Sequence, residues 1–457
     1  MKRLLLVFLP IVLISCSFDN KTGIWKDSSD IPVDNQYTKS IRDDETISRY
    51  VDIYTKNKTY NEEKKPPNTF RTEIENPVKV ENWLEKFGTA TNNISNFSYS
   101  GNKKLLSKSS RLTKTKSSGY YTNKQIVFYK NNLISHDNKG TIFIYSLTLK
   151  KKIFKYNFYK KNFKKVNKKI YFIINENILY AADNLGYLYA LNLDENSIIW
   201  AKNYGIPFRS NLKFINNQIF LSNQDNLIYS INASTGNKNW QFATRPTYLK
   251  SDFENNFALD LINNNLFFFN TSGELYSINY TTQKFNWVLN FKNIALSEDT
   301  ELFISQPIIL KKNNLILTTE EALASYDHTT ASRNWILSAE PIFKPILTLN
   351  YTYAILKNEL LICIDNTNGS VIWSKNIFAN VKKKKLKNFF KSIIDFKIVN
   401  SEVNIYFNNG YLLSFNPANG NLNHSSRISK SGIKSEIVFL NDNMLFIDSK
   451  NKLLKFN

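Results

Sequence analysis

Asn226-Leu-Ile-Tyr-Ser-Ile-Asn-Ala-Ser-Thr-Gly-Asn-Lys-Asn-Trp240 is the stretch that decides the fold. A turn residue opens it, a short apolar strand follows, an asparagine begins a second turn, and a tryptophan closes it 14 positions after the start. Six other copies open at Gly140, Gly186, Gly273, Glu321, Glu359 and Gly410. They close at Phe154, Trp200, Trp287, Trp335, Trp373 and His424, again 14 residues on. An eighth opening, Asn451 to Asn457, has no closing ring. The fourth residue after the opening is small in six copies (Ala190, Ser230, Ser277, Ser325, Cys363, Ser414), and the fifth is always apolar. Small, apolar and polar positions at fixed offsets describe a packed sheet followed by a defined turn. Cys363 thereby reads as a small buried strand residue.

Each unit spans roughly 44 residues, the length of four short strands with tight turns. The unit near 170–200 divides into Ile170–Ile174, Ile178–Ala182, Tyr187–Asn192 and Ser197–Lys202. No amphipathic helix of useful length interrupts the order, which excludes helical solenoids. The last copy has inner strands near Ile437–Leu440, Met444–Asp448 and Leu453–Phe456 but no tryptophan strand. A surplus one stands upstream at Asn82-Trp-Leu-Glu-Lys-Phe87. Pairing the two completes a blade and leaves no unpaired inner edge. The expectation is an all-β, eight-bladed propeller of four-stranded blades over residues 78–457. An N-terminal outer strand and C-terminal inner strands would close the ring. Ser100–Ser118, rich in Ser and Lys, reads as a mobile insertion.

The N-terminus reads as an export signal. Lys2 and Arg3 precede an apolar stretch from Leu4 to Ile14, too short to span a bilayer as a mature helix. Leu13-Ile14-Ser15-Cys16 resembles a bacterial lipobox, which implies a signal peptide over 1–15 and a lipid on Cys16. Ser17 rather than Asp follows the cysteine. By analogy with lipoprotein sorting this favours the outer membrane. Residues 16–77 are polar and hold Pro32, Pro66, Pro67 and Pro77, as expected of a flexible tether.

Composition narrows the function. With 42% hydrophobic and 14% aromatic residues the chain can fill a large core. Its two cysteines, Cys16 and Cys363, exclude an internal disulfide framework. Lys and Arg number 60 against 38 acids, a net charge of +22. The accompanying wealth of Asn and Ile points to AT-rich codons, and an exported chain would not meet nucleic acid. His136, His328 and His424 are scattered over separate units, and no nucleophile motif or metal-ligand spacing stands out. No catalytic residue, cofactor, metal or small-molecule substrate is therefore expected.

Asn232-Ala-Ser-Thr-Gly-Asn-Lys-Asn-Trp240 and Asp365-Asn-Thr-Asn-Gly-Ser-Val-Ile-Trp373 resemble the pyrroloquinoline-quinone-like propeller repeat. With the lipobox, Ile206-Pro-Phe-Arg-Ser210 and Thr271-Ser-Gly-Glu-Leu-Tyr276, the chain resembles the outer-membrane protein assembly factor family, BamB, in its alphaproteobacterial form. That resemblance implies a non-enzymatic lipoprotein of the β-barrel assembly machinery. Its partner would be a periplasmic domain of the barrel-forming subunit, held by two neighbouring loops. One loop corresponds to Tyr248, Leu249 and Lys250, the other to Glu298, Asp299 and Glu301. Two departures stand out. Lys250 replaces the usual arginine and loses its fork geometry, and Phe303–Gln306 separate the acids from Pro307.

Two alternatives share the fold. A quinoprotein dehydrogenase needs a calcium-held quinone and usually a vicinal disulfide, and no Cys-Cys pair exists here. A lipid- or polysaccharide-binding propeller would use the basic run Lys382 to Lys391, which also reads as a solvated loop whose phenylalanines begin a strand.

Overall fold

The computed structural model describes residues 58–113, 125–159, 163, 166–246, 254–291, 303–381, 387–388, 390 and 392–457, together with short strands at Ser17–Asp19, Ile24–Lys26, Thr38–Ser40 and Ser48–Tyr50. Eight sheets, each with four antiparallel blade strands, consecutive in sequence in all but the eighth, form an eight-bladed β-propeller. Blade 1 begins at Val127–Tyr129, blade 2 at Ile170–Asn175, blade 3 at Lys213–Ile215 and blade 4 at Asn256–Asp260. Blades 5 to 8 begin at Ile309–Lys311, Ile346–Leu347, Ile393–Val399 and Val438–Leu440. These first strands lie beside one another and line the channel. The fourth strand of each blade forms its outer edge.

The repeat has a physical reason at each offset. The residue fourth after the opening faces the closing ring across the sheet: Ser230 against Trp240, Cys363 against Trp373, Ala190 against Trp200. A small side chain leaves room for the indole. Where the ring shrinks to Phe154, its partner grows to Ile144. Immediately afterwards the register shifts by a bulge, between Ser230 and Ile231 for example. The asparagine or aspartate then caps the next turn, as Asn232 does by accepting the backbone N–H groups of Ser234 and Thr235, each at 3.0 Å.

Glycine in that turn serves the neighbouring blade. Gly420 has φ +68°, and a Cβ there would lie 2.5 Å from the Trp373 indole of blade 6. The Trp373 Nε1–H donates to the Pro417 carbonyl at 2.9 Å, so ring and turn lock two blades together. Trp200 makes the same bond to Ala233, and Trp335 to Asn366, both at 2.9 Å. The large fully buried side chains lie within and between the sheets.

The ring closes through a different strand from the one the tryptophan pattern suggests. Leu453–Phe456 pairs with Leu105–Lys108, with Lys455 opposite Ser107. The outer strand of blade 8 thus comes from the Ser/Lys-rich stretch. Its two exposed leucines, Leu105 and Leu106, stand side by side rather than in alternation, and no ring residue closes it, which makes it resemble an insertion. Trp83 is instead buried in the channel, where its backbone N–H donates to Phe128 at 2.9 Å.

Residues 78–99 form a loop that circles the channel and meets all eight blades, and its ends pair in parallel at Val78 and Phe97. Val80 accepts from Asn441 of blade 8, Trp83 bonds Phe128 of blade 1, and Leu84 accepts from Ile174 of blade 2. Lys213 of blade 3 is bound by Glu85 at 2.5 Å and by the Thr89 carbonyl at 2.8 Å. Ala90 and Thr91 accept from Leu259 of blade 4 and Leu310 of blade 5. Asn93 donates to Leu347 of blade 6 at 2.8 Å, and Phe97 to Ile398 of blade 7 at 2.9 Å. Inner strands carry backbone groups that face the channel and need partners. Asn92 and Asn93 supply them, donating to the carbonyls of Phe257, Ile308 and Leu347, which is why polar side chains are buried here.

Candidate functional site

The candidate site is one face of blades 3 and 4, where the two loops expected to hold a partner begin and end. In a four-stranded antiparallel blade, the turn between second and third strands shares a face with the connection to the next blade. Tyr248, Leu249, Lys250, Glu298, Asp299 and Glu301 themselves lie outside the described residues, as does Cys16. Their loops' stems are described, and both rest on one turn, 270–273 in blade 4.

That turn is built by its own side chains. Asn270 Oδ1 accepts the N–H groups of Ser272 at 3.0 Å and Glu274 at 2.8 Å, and Gly273 takes φ +82°. The stem of the first loop is held by Ser272 Oγ, which donates to the carbonyls of Arg245 and Pro246, each at 3.1 Å. Asn226 Nδ2 adds a bond to the Arg245 carbonyl at 2.9 Å. Stem residues of the second loop fall on the same turn. Phe291 donates its N–H to Gly273 at 2.8 Å and Phe303 to Thr271 at 3.2 Å. The Phe303 ring lies over Gly273, where a Cβ would come within 2.8 Å. Thr271 to Tyr276 thus acts as a shared footing for both loops.

Ile206 to Ser210 has a parallel role one blade earlier. Arg209 donates its N–H to Ser222 and accepts from Asn255, both at 2.9 Å, tying blade 3 to the start of blade 4.

Glu254 begins the described chain after the first loop, and sequence patterns do not single it out. Lys86 from the channel loop reaches it at 2.5 Å and Lys169 of blade 2 at 2.6 Å. Burial would raise its pKa, but the two ammonium groups outweigh that and hold the carboxyl down at about 2. Lys344 and Glu436 share the same end of the channel. Burial, then Lys397, lowers Lys344 to about 7. Burial raises Glu436 to about 7. The signal for these positions is a charged or polar residue just ahead of an inner strand, recurring at Lys169, Glu254, Lys344 and Glu436.

The other candidate chemistries have structural partners. His136 Nδ1 lies 3.0 Å from the Asp137 carbonyl, His328 Nε2 lies 2.7 Å from that of Lys312, and His424 Nε2 contacts Lys103 Nζ at 2.9 Å. Among the described residues no group of three or more His, Cys, Asp or Glu could hold a metal, and no helix is long and apolar enough to cross a membrane. Cys363 is a buried free thiol whose pKa burial pushes up. Of the basic run, Lys387 pairs with Glu359 at 3.1 Å and Phe390 packs edge-on against Phe378; Lys382 to Leu386, Phe389 and Lys391 lie outside the described residues.

The architecture defines the class: an eight-bladed propeller of pyrroloquinoline-quinone-like repeats. Within that class the chain is similar to BamB. The family described as "Outer membrane protein assembly factor BamB" matches residues 161–375. A protein of that name from Legionella pneumophila (strain Paris) is 32% identical over 69 residues, which is 15% of this chain and 17% of the Legionella protein. The crystal structure of BamB from Moraxella catarrhalis superposes with a TM-score of 0.60 at 12% identity, covering 77% of this chain and 99% of that one. The quinohemoprotein alcohol dehydrogenase from Comamonas testosteroni superposes with a TM-score of 0.59 at 9% identity, covering 83% and 81%. At these identities the structural likeness is one of fold.

Proposed function

We propose that the chain is a non-enzymatic scaffold lipoprotein of the outer-membrane β-barrel assembly machinery, anchored by a lipid on Cys16 at the periplasmic face of the outer membrane. It binds a periplasmic domain of the barrel-forming subunit and aids insertion of β-barrel proteins. The contact uses Tyr248, Leu249 and Lys250 from one loop and Glu298, Asp299 and Glu301 from the next.

The observation that carries this reading is the shared footing. Stems of both loops converge on the turn 270–273, through Ser272 to Arg245 and Pro246 and through Gly273 and Thr271 to Phe291 and Phe303. Two loops on one rigid turn can present an apolar and an acidic anchor together, the arrangement a compact hot spot needs. The channel loop supports a scaffold over an enzyme, because residues 78–99 occupy the largest concavity a propeller ring offers.

Co-purification from solubilised outer membrane tests the proposal. Changing Leu249→Ala together with Lys250→Glu is expected to remove about 2 kcal/mol or more of binding, roughly thirtyfold, and to lose the partner. The control pair, Thr235→Ala with Lys238→Glu, lies on the opposite rim and should retain it. Retention by the loop variant overturns the site. An eluate without a barrel-assembly subunit, but with bound quinone and dehydrogenase activity, overturns the function.

A further inference from the structure

The eight outer edges fall into two groups. Described pieces of the chain before the channel loop meet four consecutive blades. Thr38–Ser40 pairs in parallel with Lys238–Ala243 of blade 3, and Ser48–Tyr50 with Lys284–Asn290 of blade 4. Tyr60 donates its N–H to Ser338 of blade 5 at 2.9 Å, and Lys64 exchanges two backbone bonds with Ser374 of blade 6. The outer strands of blades 7, 8, 1 and 2 have no such partner among the described residues.

We propose that the open outer strands of blades 8, 1 and 2 form a docking edge for an extended polypeptide strand in which apolar and acidic residues alternate. That strand pairs in trans as the protein's own segments pair in cis on blades 3 and 4. Three observations converge. The equivalent strands of this same molecule accept extended chain along their outer edge, so the edge geometry is competent for strand addition. Large apolar side chains are exposed on these strands and adjacent turns: Leu105, Leu106, Leu149, Ile153, Ile198 and Ile199. Such clustering on one side marks an interaction surface. The charge has one sign. Leu105–Lys108, Lys151–Asn157 and Ser197–Asn203 contain no acidic residue and five lysines, at 108, 151, 152, 155 and 202. A basic segment such as Ser48-Arg49-Tyr50 suits the less basic edge of blade 4 and is repelled here, whereas an acidic strand is attracted. The inference is independent of the loops at 247–253 and 292–302.

The test uses the purified full chain and a fluorescein-labelled peptide of about ten residues, strand length, alternating valine or tyrosine with glutamate. Anisotropy should report binding that weakens with salt. Lys151→Glu with Lys155→Glu should reduce affinity about tenfold or more, while Lys238→Glu on covered blade 3 changes it less than about twofold. A peptide with lysine in place of glutamate should not bind. Far-UV circular dichroism checks that the exposed substitutions leave the fold intact. The proposal is overturned by equal binding of the double variant, by equal binding of the lysine peptide, or by no binding of the acidic peptide. Self-association lost in the double variant would assign the edge to a second copy. Sedimentation with anionic vesicles, lost in that variant and not displaced by peptide, would assign it to lipid. Either outcome also overturns the proposal.

Discussion

Blades 3 to 6 and blades 7, 8, 1 and 2 are built from one repeat, yet they treat the closing ring differently. In the covered half the ring is always tryptophan, and Trp240, Trp287, Trp335 and Trp373 are at most 5% exposed. In the open half it is His424 in blade 7, nothing comparable in blade 8, Phe154 in blade 1, and a half-buried Trp200 in blade 2. An outer strand with chain lying against it can bury a full indole. One that faces solvent gains less from the same residue, because the hydrophobic gain scales with area removed from water. Conservation of the motif within one chain therefore tracks what covers each blade.

The sharpest way to break that comparison is to disturb the element both halves share. Lys213 is fully buried and paired with Glu85 of the channel loop at 2.5 Å. Lys213→Ala leaves the carboxylate without its ion partner and should cost about 3–5 kcal/mol in urea unfolding. Changing both members to apolar residues should recover much of that loss. A single-variant cost near zero would show that the channel loop does not hold the ring.

Truncating rings compares the halves directly. Trp373→Ala should destabilise by about 3–5 kcal/mol, because its indole is enclosed and bonded to Pro417. Trp200→Ala should cost about half as much or less, since part of its surface already meets water. Equal losses would remove the link between covering and burial.

Gly420 refines the account. The tenth residue after each opening is left-handed in all seven complete copies, from Lys150 (φ 53°) and Asn196 (φ 56°) to Gly420 (φ +68°). Under Trp373 a Cβ does not fit, so Gly420→Ala should cost about 1–3 kcal/mol. Asn196→Ala, which already carries a Cβ, should cost less than about 1 kcal/mol by the same thermal melts.

The smallest effect concerns pH. Glu254 has its pKa depressed to about 2 because, against burial, Lys86 and Lys169 favour the carboxylate. Its contribution to stability is present above the unfolded carboxyl value of 4.5 and is lost as pH falls through about 2. Melting curves of Glu254→Gln should therefore flatten between those two pH values relative to the parent. An identical acid limb in both would exclude Glu254 as a determinant.

Sequence spacing revealed the blades because their defining contacts are local. Ser230 faces Trp240, and Asn232 caps its own turn two and three residues on, so fixed offsets suffice. Trp83 misled for the same reason. A tryptophan in a strand-like stretch looks the same in an outer edge and in a channel, and only its neighbours differ. Leu105–Lys108 escaped notice because an outer strand exposed to water needs no apolar alternation. At the candidate face, the stretch Thr271 to Tyr276 was legible, but its role as footing for two loops was not. Arg245 and Phe303 reach Ser272, Gly273 and Thr271 from opposite sides in sequence.

The sequence by itself determined the number of blades, the strand order within each and the turn that follows the third strand. These follow from side-chain volume and hydrogen bonding over fewer than about fifteen residues. Only the tertiary structure decided which strand closes the ring, what lines the channel and which edges lack a strand partner among the described residues. Those outcomes rest on contacts such as Leu453 N–H to Ser109 Oγ, 344 residues apart, or Asn92 reaching the carbonyls of Phe257 and Ile308. No local period records such partners. They are selected when eight inner edges must all find hydrogen bonds at once, and a single loop circling the channel can supply them.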